Sequence, residues 1–349
     1  MDFSCYQKFQ RGGIFLKLLF LLIFLVLALF GAFFYWATQP IISDGKTVDF
    51  MLSTGGGARS VAQEISKTGN SLNADLFALL VKLSGNGSRL KAGGYELTSG
   101  MSPLELMGML ERGEFAQKSV RIIEGWTFKQ MRETISKSPH LKHDTADMLD
   151  EELLEKIGVE QKHPEGLFFP DTYLFAKGSS ELEIYKQAHK SLMKHLENEW
   201  KKREEDLPYQ SPYDALIMAS IVEKETGLHS DRAQIAGVFV NRLRLGMLLQ
   251  TDPTVIYGMG ERYQGNIRKS DLTTDTEYNT YTREGLPPTP IALVGIKSLR
   301  AALHPAKTDA LYFVARGDGS TQFSNNLADH NRAVDEYQRK KPTKPEGAD

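Results

Sequence analysis

The chain has 349 residues, 41% hydrophobic and 25% charged, with a formal net charge of −2. This is an ordinary globular balance with room for roughly two domains beyond an anchor, and it excludes a basic nucleic-acid-binding protein. The single cysteine, Cys5, excludes a disulfide framework, and also a Cys nucleophile or Cys-ligated metal in everything that follows it.

The N-terminus carries the strongest shift in composition. Leu18 to Ala37 runs for about 20 residues without a charge, the length that spans a bilayer core. Tyr35 and Trp36 sit where an interfacial aromatic belt belongs. Lys8, Arg11 and Lys17 precede the run, whereas Asp44, Lys46 and Asp49 follow it. The positive-inside rule therefore keeps residues 1–17 in the cytosol and exports the rest. A cleaved signal peptide is the alternative; the length of the run and the lack of a small-x-small site argue against it.

After a short tether, residues 46–115 read as a small α+β unit. Thr47–Leu52 alternates like a strand, and Ser60–Thr68 and Asn73–Leu83 read as helices, the second closed by Gly85-Asn86-Gly87. Leu90–Leu97 turns into a strand. Ser102-Pro103-Leu104-Glu105 opens a helix, with Ser as N-cap, Pro at N1 and Glu at N3. A second domain covers 119–340. Its expected elements are a strand at Val120–Ile123, one charged helical stretch from Phe128 to Glu155 and an aromatic, turn-rich run from Pro164 to Phe175. A helix over Tyr185–Glu205 should bury Leu192, Met193, Leu196 and Trp200. Ser211-Pro212 starts the next helix, and Ser230-Asp231 caps one that stops at Gly246. Met247 to Pro290 reads as a polar, aromatic loop. A helix at Ser298–Leu303, a strand at Leu311–Ala315, a last helix within Phe323–Tyr337 and a polar tail over 341–349 complete an α+β fold.

Chemistry concentrates in Ile221-Val222-Glu223-Lys224-Glu225-Thr226, which places two acids in an apolar helical run. A carboxyl on an apolar helix face is costly to ionise, so it keeps its proton closer to neutral pH and can protonate a leaving oxygen. On a helical wheel Glu225 falls between Met218, Ile221 and Val222, and Glu223 nearer Ala219 and Leu216. Glu225 is thus the better candidate; spacing alone equally allows two surface acids at a helix end. The following loop offers Gln250, Asp252, Thr254 and Tyr257, with Asn279 and Tyr281 further on. Such polar and aromatic groups on Pro/Gly-punctuated backbone line sugar clefts, or simply satisfy a long loop. Metal chemistry finds no support: the eight His residues are scattered, with His140 and His143 lacking a third ligand and His304 and His330 reading as structural. No Gly-x-Ser-x-Gly elbow is present, and Gly55-Gly56-Gly57 lacks a phosphate loop's Lys-Ser/Thr. Arg242 and Arg244 are expected to face solvent or pair with acids, with an anionic substrate as a further option for one of them.

Ala219 to Thr226 is similar to the signature of the endolytic murein lytic transglycosylases, the YceG-like family. So are Phe239-Val240-Asn241-Arg242-Leu243, Leu249 to Gly258, Tyr278-Asn279-Thr280-Tyr281 with Gly285-Leu286-Pro287-Pro288, and His304-Pro305-Ala306, Tyr312–Ala315 and His330-Asn331. The resemblance covers the chain after the anchor, and Leu90–Glu105 resembles the LysM-like part that precedes the catalytic domain in that family. It implies cleavage of the β-1,4 bond between N-acetylmuramic acid and N-acetylglucosamine inside a glycan strand, leaving a 1,6-anhydromuramyl end, without metal or organic cofactor. It assigns catalysis to Glu225; the physical argument gives that residue the roles of acid and then base, and hydrogen bonds from Gln250, Asp252, Tyr257 or Asn279 could hold the N-acetyl and hydroxyl groups. The expected setting is single-pass in the inner membrane with a periplasmic catalytic domain, where an anchored glycan cutter ends strands and remodels the wall beside peptidoglycan synthases. Two alternatives remain: an inactive wall-binding scaffold, against which an intact Glu225 argues, and a hydrolase using Glu223 as a second carboxylate.

Overall fold

The computed structural model describes residues 4–339 except Asp44, Thr54, Ser71, 86–89 and His229, with residues 4–15 in backbone only. The expected 341–349 tail, the Asn86-Gly87 turn, Asp44 and the side chains of Cys5, Lys8 and Arg11 lie outside the described residues. The chain forms two compact units. One runs through Lys118 and adds Phe175–Gly178; the other comprises Ser119–Leu174 and the chain from Ser179 onward.

The first unit opens with α1 (Ser4–Thr38). Its part from Leu16 to Thr38 is long and apolar enough to cross a membrane and fits a single-pass anchor. Then come β1 (Val48–Leu52), α2 (Ala58–Lys67), α3 (Ala74–Leu83), β2 (Gly93–Leu97) and α4 (Pro103–Arg112). β1 and β2 pair antiparallel, with Val48 opposite Leu97 and Phe50 opposite Tyr95. The period-2 alternation puts Phe50, Leu52, Tyr95 and Leu97 into the core with Val61, Ile65, Phe77 and Leu106. Ser102 and Glu105 close a full capping box on α4, as the sequence pattern requires. β3 (Gln117–Arg121) forms a two-stranded sheet with β4 (Thr172–Ala176).

In the second unit the charged 128–155 stretch is two helices, α5 (Phe128–Ser136) and α6 (Asp150–Lys156). Lys137 caps α5, and Pro139, two residues on, disfavours helix in Ser138. α7 (Glu181–Trp200) begins four residues earlier than its apolar pattern suggests. It buries Ile184, Tyr185, Ala188, Leu192 and Leu196, whereas Met193 is exposed and Trp200 half-buried.

α8 (Pro212–Glu225) is the central element. Ala215 through Val222 are all buried, and it packs against α7, α9 (Arg232–Arg244), α10 (Asp252–Met259) and α12 (Ile296–Leu303). A helix apolar all round belongs at the centre of a unit. Ser220, fully buried, donates to Ile217 O and accepts the Ile291 N–H, which ties the chain before α12 to α8. The stretch 247–290, read as a loop, contains α10 and the short α11 (Lys269–Thr273); Pro253 in the first turn of α10 fits that start. β5 (Tyr312–Ala315) and β6 (Thr321–Ser324) make an antiparallel hairpin, and α13 (Leu327–Val334) follows.

Candidate active site

The two acids of α8 meet different surroundings. Glu223 turns inward: Oε1 accepts from Arg232 at 3.1 Å and Oε2 from the Gly295 N–H at 3.0 Å, with side chains 5% and 6% exposed. Gly295 is the N-cap of α12, where a carboxylate is favoured by the positive end of the helix. Its charge is thus compensated from two sides and committed to structure.

Glu225, the last residue of α8, is half-buried. Burial raises its pKa, and the negative charge of Asp252 raises it further. The Thr251 hydroxyl and the Arg242 guanidinium pull the other way but do not reverse the direction. Thr251 Oγ1 donates to Glu225 Oε2 at 2.7 Å. Thr251 is the N-cap residue of α10, yet its side chain makes no capping bond; its proton goes to the acid. This residue was missed from sequence, although Thr-Asp-Pro is a readable helix start.

Thr251 is held by the second polar segment. Its N–H donates to Thr280 Oγ1 at 3.1 Å, and the Gln250 N–H donates to Thr280 O at 3.0 Å. Thr254 is fully buried, its hydroxyl donating to Thr251 O and sharing a bond with Thr280 Oγ1. Asn279, 1% exposed, donates to the carbonyls of Asp271, Leu272 and Thr274 and accepts the Tyr281 N–H. Both side chains therefore brace the loop from within. Gln250 is exposed, at φ +49. Asp252 is exposed too, its Oδ1 accepting from the Tyr281 hydroxyl at 2.6 Å. So Gln250 and Asp252 remain exposed, Tyr281 is half-buried beside Asp252, and both Asp252 and Tyr281 lie close enough to Glu225 to interact with it electrostatically, whereas Tyr257 lies further along α10.

Arg242 departs from expectation. It is 7% exposed, donates from Nε to Leu311 O and from Nη1 to Leu249 O, both at 2.7 Å, and lies over the Tyr312 ring. It clamps the chain just before Gln250, whereas Arg244 is exposed and donates to Asp206 O. Tyr257 also has a fixed partner, Glu165, to which its hydroxyl donates at 3.2 Å. Glu165 is 3% exposed, and burial pushes its carboxyl up to about 7 against the pull of the Phe128 N–H and Tyr257. Nothing local in the sequence marks Glu165, because its partners lie 37 and 92 residues away. His143 bonds Glu181, and His330 stacks on Tyr312. Among the described residues no group of three His, Cys, Asp or Glu could hold a metal.

Compared with known proteins, residues 50–336 match the YceG-like family. The chain belongs to the YceG-like family. It is 34% identical over 331 residues to the endolytic murein transglycosylase of Bacillus subtilis, covering 88% of this chain and 90% of that one. The endolytic murein transglycosylase of Streptococcus pneumoniae serotype 2 is 28% identical over 366 aligned positions, 90% of this chain and 64% of the relative. A crystal structure of a yceG-like protein from Listeria monocytogenes superposes with a TM-score of 0.53 at 32% identity, over 83% of this chain and 99% of that one. α8 and α9, which carry Glu225 and Arg242, and α10 with its N-cap Thr251 all fall inside the YceG-like match.

Proposed function

We propose that this chain is a membrane-anchored endolytic lytic transglycosylase of peptidoglycan. It cuts the β-1,4 bond between N-acetylmuramic acid and N-acetylglucosamine within a strand and leaves a 1,6-anhydromuramyl end. The observation that carries the reading is the half-buried Glu225, raised in pKa chiefly by burial and gripped on one oxygen by Thr251, in a family whose relatives bear that activity as their name.

The chemistry follows from one carboxyl. Glu225 donates its proton from Oε1, the oxygen opposite the Thr251 bond, to the leaving glycosidic oxygen. As carboxylate it then takes the proton of the sugar's own C6 hydroxyl, whose oxygen closes the 1,6-anhydro ring. A glycosidase that uses water needs a second carboxyl as base or nucleophile. Glu223 is engaged by Arg232 and Gly295, which favours the single-acid scheme over a Glu223-assisted hydrolase. Asp252, oriented by Tyr281, lies near enough to influence Glu225 and adds negative potential where the sugar develops positive charge. Gln250, Asp252 and Tyr281 contact the sugar directly. Thr254 and Asn279 act through the loop they brace.

Residues 119–340 form the catalytic domain, and the strand–helix–helix–strand unit over 46–115 is a LysM-like module. The Leu16–Thr38 helix anchors the chain once in the inner membrane, N-terminus in the cytosol and catalytic domain in the periplasm, within reach of peptidoglycan synthases. The test is mass spectrometry of sacculi digested by the wild-type chain and by Glu225→Gln. The expected muropeptides are lighter by one water than reducing-end products, and Glu225→Gln lowers the rate at least about 100-fold. Reducing ends, or full activity without Glu225, would refute the assignment.

A further inference from the structure

Besides the surroundings of Glu225, the second unit holds a cavity of about 660 Å³ lined by Phe128, Lys129, Arg132, His163, Glu165 and Tyr257, among others. Its cations are already engaged. The Arg132 guanidinium serves Asp150 and the carbonyls of Thr145 and Met148, and Lys129 pairs with Glu261 at 2.5 Å. Glu165 is different, because its direct partners are neutral donors: the Phe128 N–H on Oε1, the Tyr257 hydroxyl on Oε2 and the Gly166 N–H. A phenol has one proton to give. With that proton committed to Glu165, the oxygen of Tyr257 can address the cavity only as an acceptor. Tyr257 lies on α10, six residues after Thr251, which grips Glu225. Six residues of helix rise about 9 Å, so the backbone of Tyr257 stands less than two turns along α10 from the residue that grips the acid. The Tyr278 ring packs edge-to-face with that of Tyr257, centroids 4.8 Å apart, and supports its orientation.

We propose that this cavity is a subsite for another N-acetylated sugar of the strand being cut, in which Tyr257, oriented by Glu165, accepts the acetamido N–H. The subsite rests on the glycan-cutting function, and Glu165 acts in it as a positioning residue. Its replacement by Gln is informative. Gln keeps an oxygen for the Phe128 N–H but offers an N–H to Tyr257, so the phenol proton turns toward the cavity and an acceptor becomes a donor.

The experiment measures binding of stem-free glycan strands to the full-length chain carrying Glu225→Gln, which separates binding from cutting. At about pH 8, one unit above the Glu165 range, adding Glu165→Gln or Tyr257→Phe should each weaken Kd about tenfold. The two together should weaken it no further, since both remove the same bond. Glu165→Gln should melt within about 2 °C of its parent, as a preserved Phe128 bond requires. In the chain with Glu225 intact, the same changes should raise KM and leave kcat nearly unchanged. An unchanged Kd in both variants, or losses that multiply to about a hundredfold in the double variant, would overturn the subsite. If strands bind with these losses but are not cut by the intact chain, the catalytic assignment fails and the subsite stands. If they are cut while the variants bind like the parent, the subsite alone fails.

Discussion

Replacing Glu223 by Ala should damage stability, whereas replacing Glu225 by Gln should damage only turnover. The Glu223 carboxylate sits in a pocket where it and Arg232 are 5% and 6% exposed, and it also takes the N–H that starts α12. Removing one member of such a pair leaves the other charge buried without its carboxylate and one helix N–H short of an acceptor, a loss of about 3–5 kcal/mol. For a cooperative unit of this size each kcal/mol shifts the melting temperature by roughly 2–4 °C. Glu223→Ala should therefore lower the transition of the second unit by about 6–20 °C, followed by calorimetry on the full-length chain in detergent. Glu225→Gln removes a group that burial and Asp252 already oppose in its charged form, so its transition should stay within about 2 °C or rise. The double change Glu223→Met with Arg232→Met gives a sharper control. Apolar replacement of a whole buried pair is often nearly neutral, so much of the loss should return, together with cleavage. The reasoning is refuted if Glu223→Ala melts like the wild type yet fails to cut sacculi, because Glu223 would then be acting in the chemistry.

Two further outcomes follow from the geometry. Thr251→Val takes away a donor that lowers the pKa of Glu225, so that pKa should rise further. The first step needs the protonated acid and slows as pH rises through its pKa, so this alkaline limb should move to higher pH while the maximal rate falls; a limb that stays put or moves down contradicts the Thr251 assignment. Gly166→Ala should cost at least about 2 kcal/mol, read as a melting shift of about 5 °C or more. Gly166 has φ +75, and an added Cβ would lie 2.3 Å from Pro290 Cβ; a wild-type melting curve would mean that the chain gives way there easily.

What was legible in the sequence is what is local. The capping box at Ser102, the helix start at Ser211-Pro212, the apolar helix before Thr38 and the eight-residue buried run of α8 depend on neighbours within a turn or two. The wheel named Glu225 as the buried acid and did not anticipate that Glu223 is buried as well, 5% exposed against Arg232 and the Gly295 N–H; periodicity could not supply either acid's partners. Thr251 reaches Glu225 across 26 residues, and Gly295 reaches Glu223 across 72. Arg242 was misread because a guanidinium on a helix suggests solvent, whereas here the Leu249 carbonyl, seven residues on, and the Leu311 carbonyl, 69 residues on, draw it inside. Thr254 and Asn279 looked like sugar ligands because their chemistry suits either role; burial commits them to the loop. The Phe128–Glu155 stretch read as one helix because charge and periodicity outweighed a single Pro139.

The position of Glu225 as the final residue of α8 adds an electrostatic gradient that no side chain provides. The last carbonyls of a helix project a partial negative charge of about half an elementary unit beyond its end. In the proposed reaction the sugar becomes cationic at the anomeric carbon, and the field of α8 would favour that cation while disfavouring early ionisation of the acid beside it. The polarity is built into the peptide backbone and would survive every substitution of Glu225, so a dead variant should still prefer ring-flattened, positively charged sugar mimics to the neutral sugars they imitate.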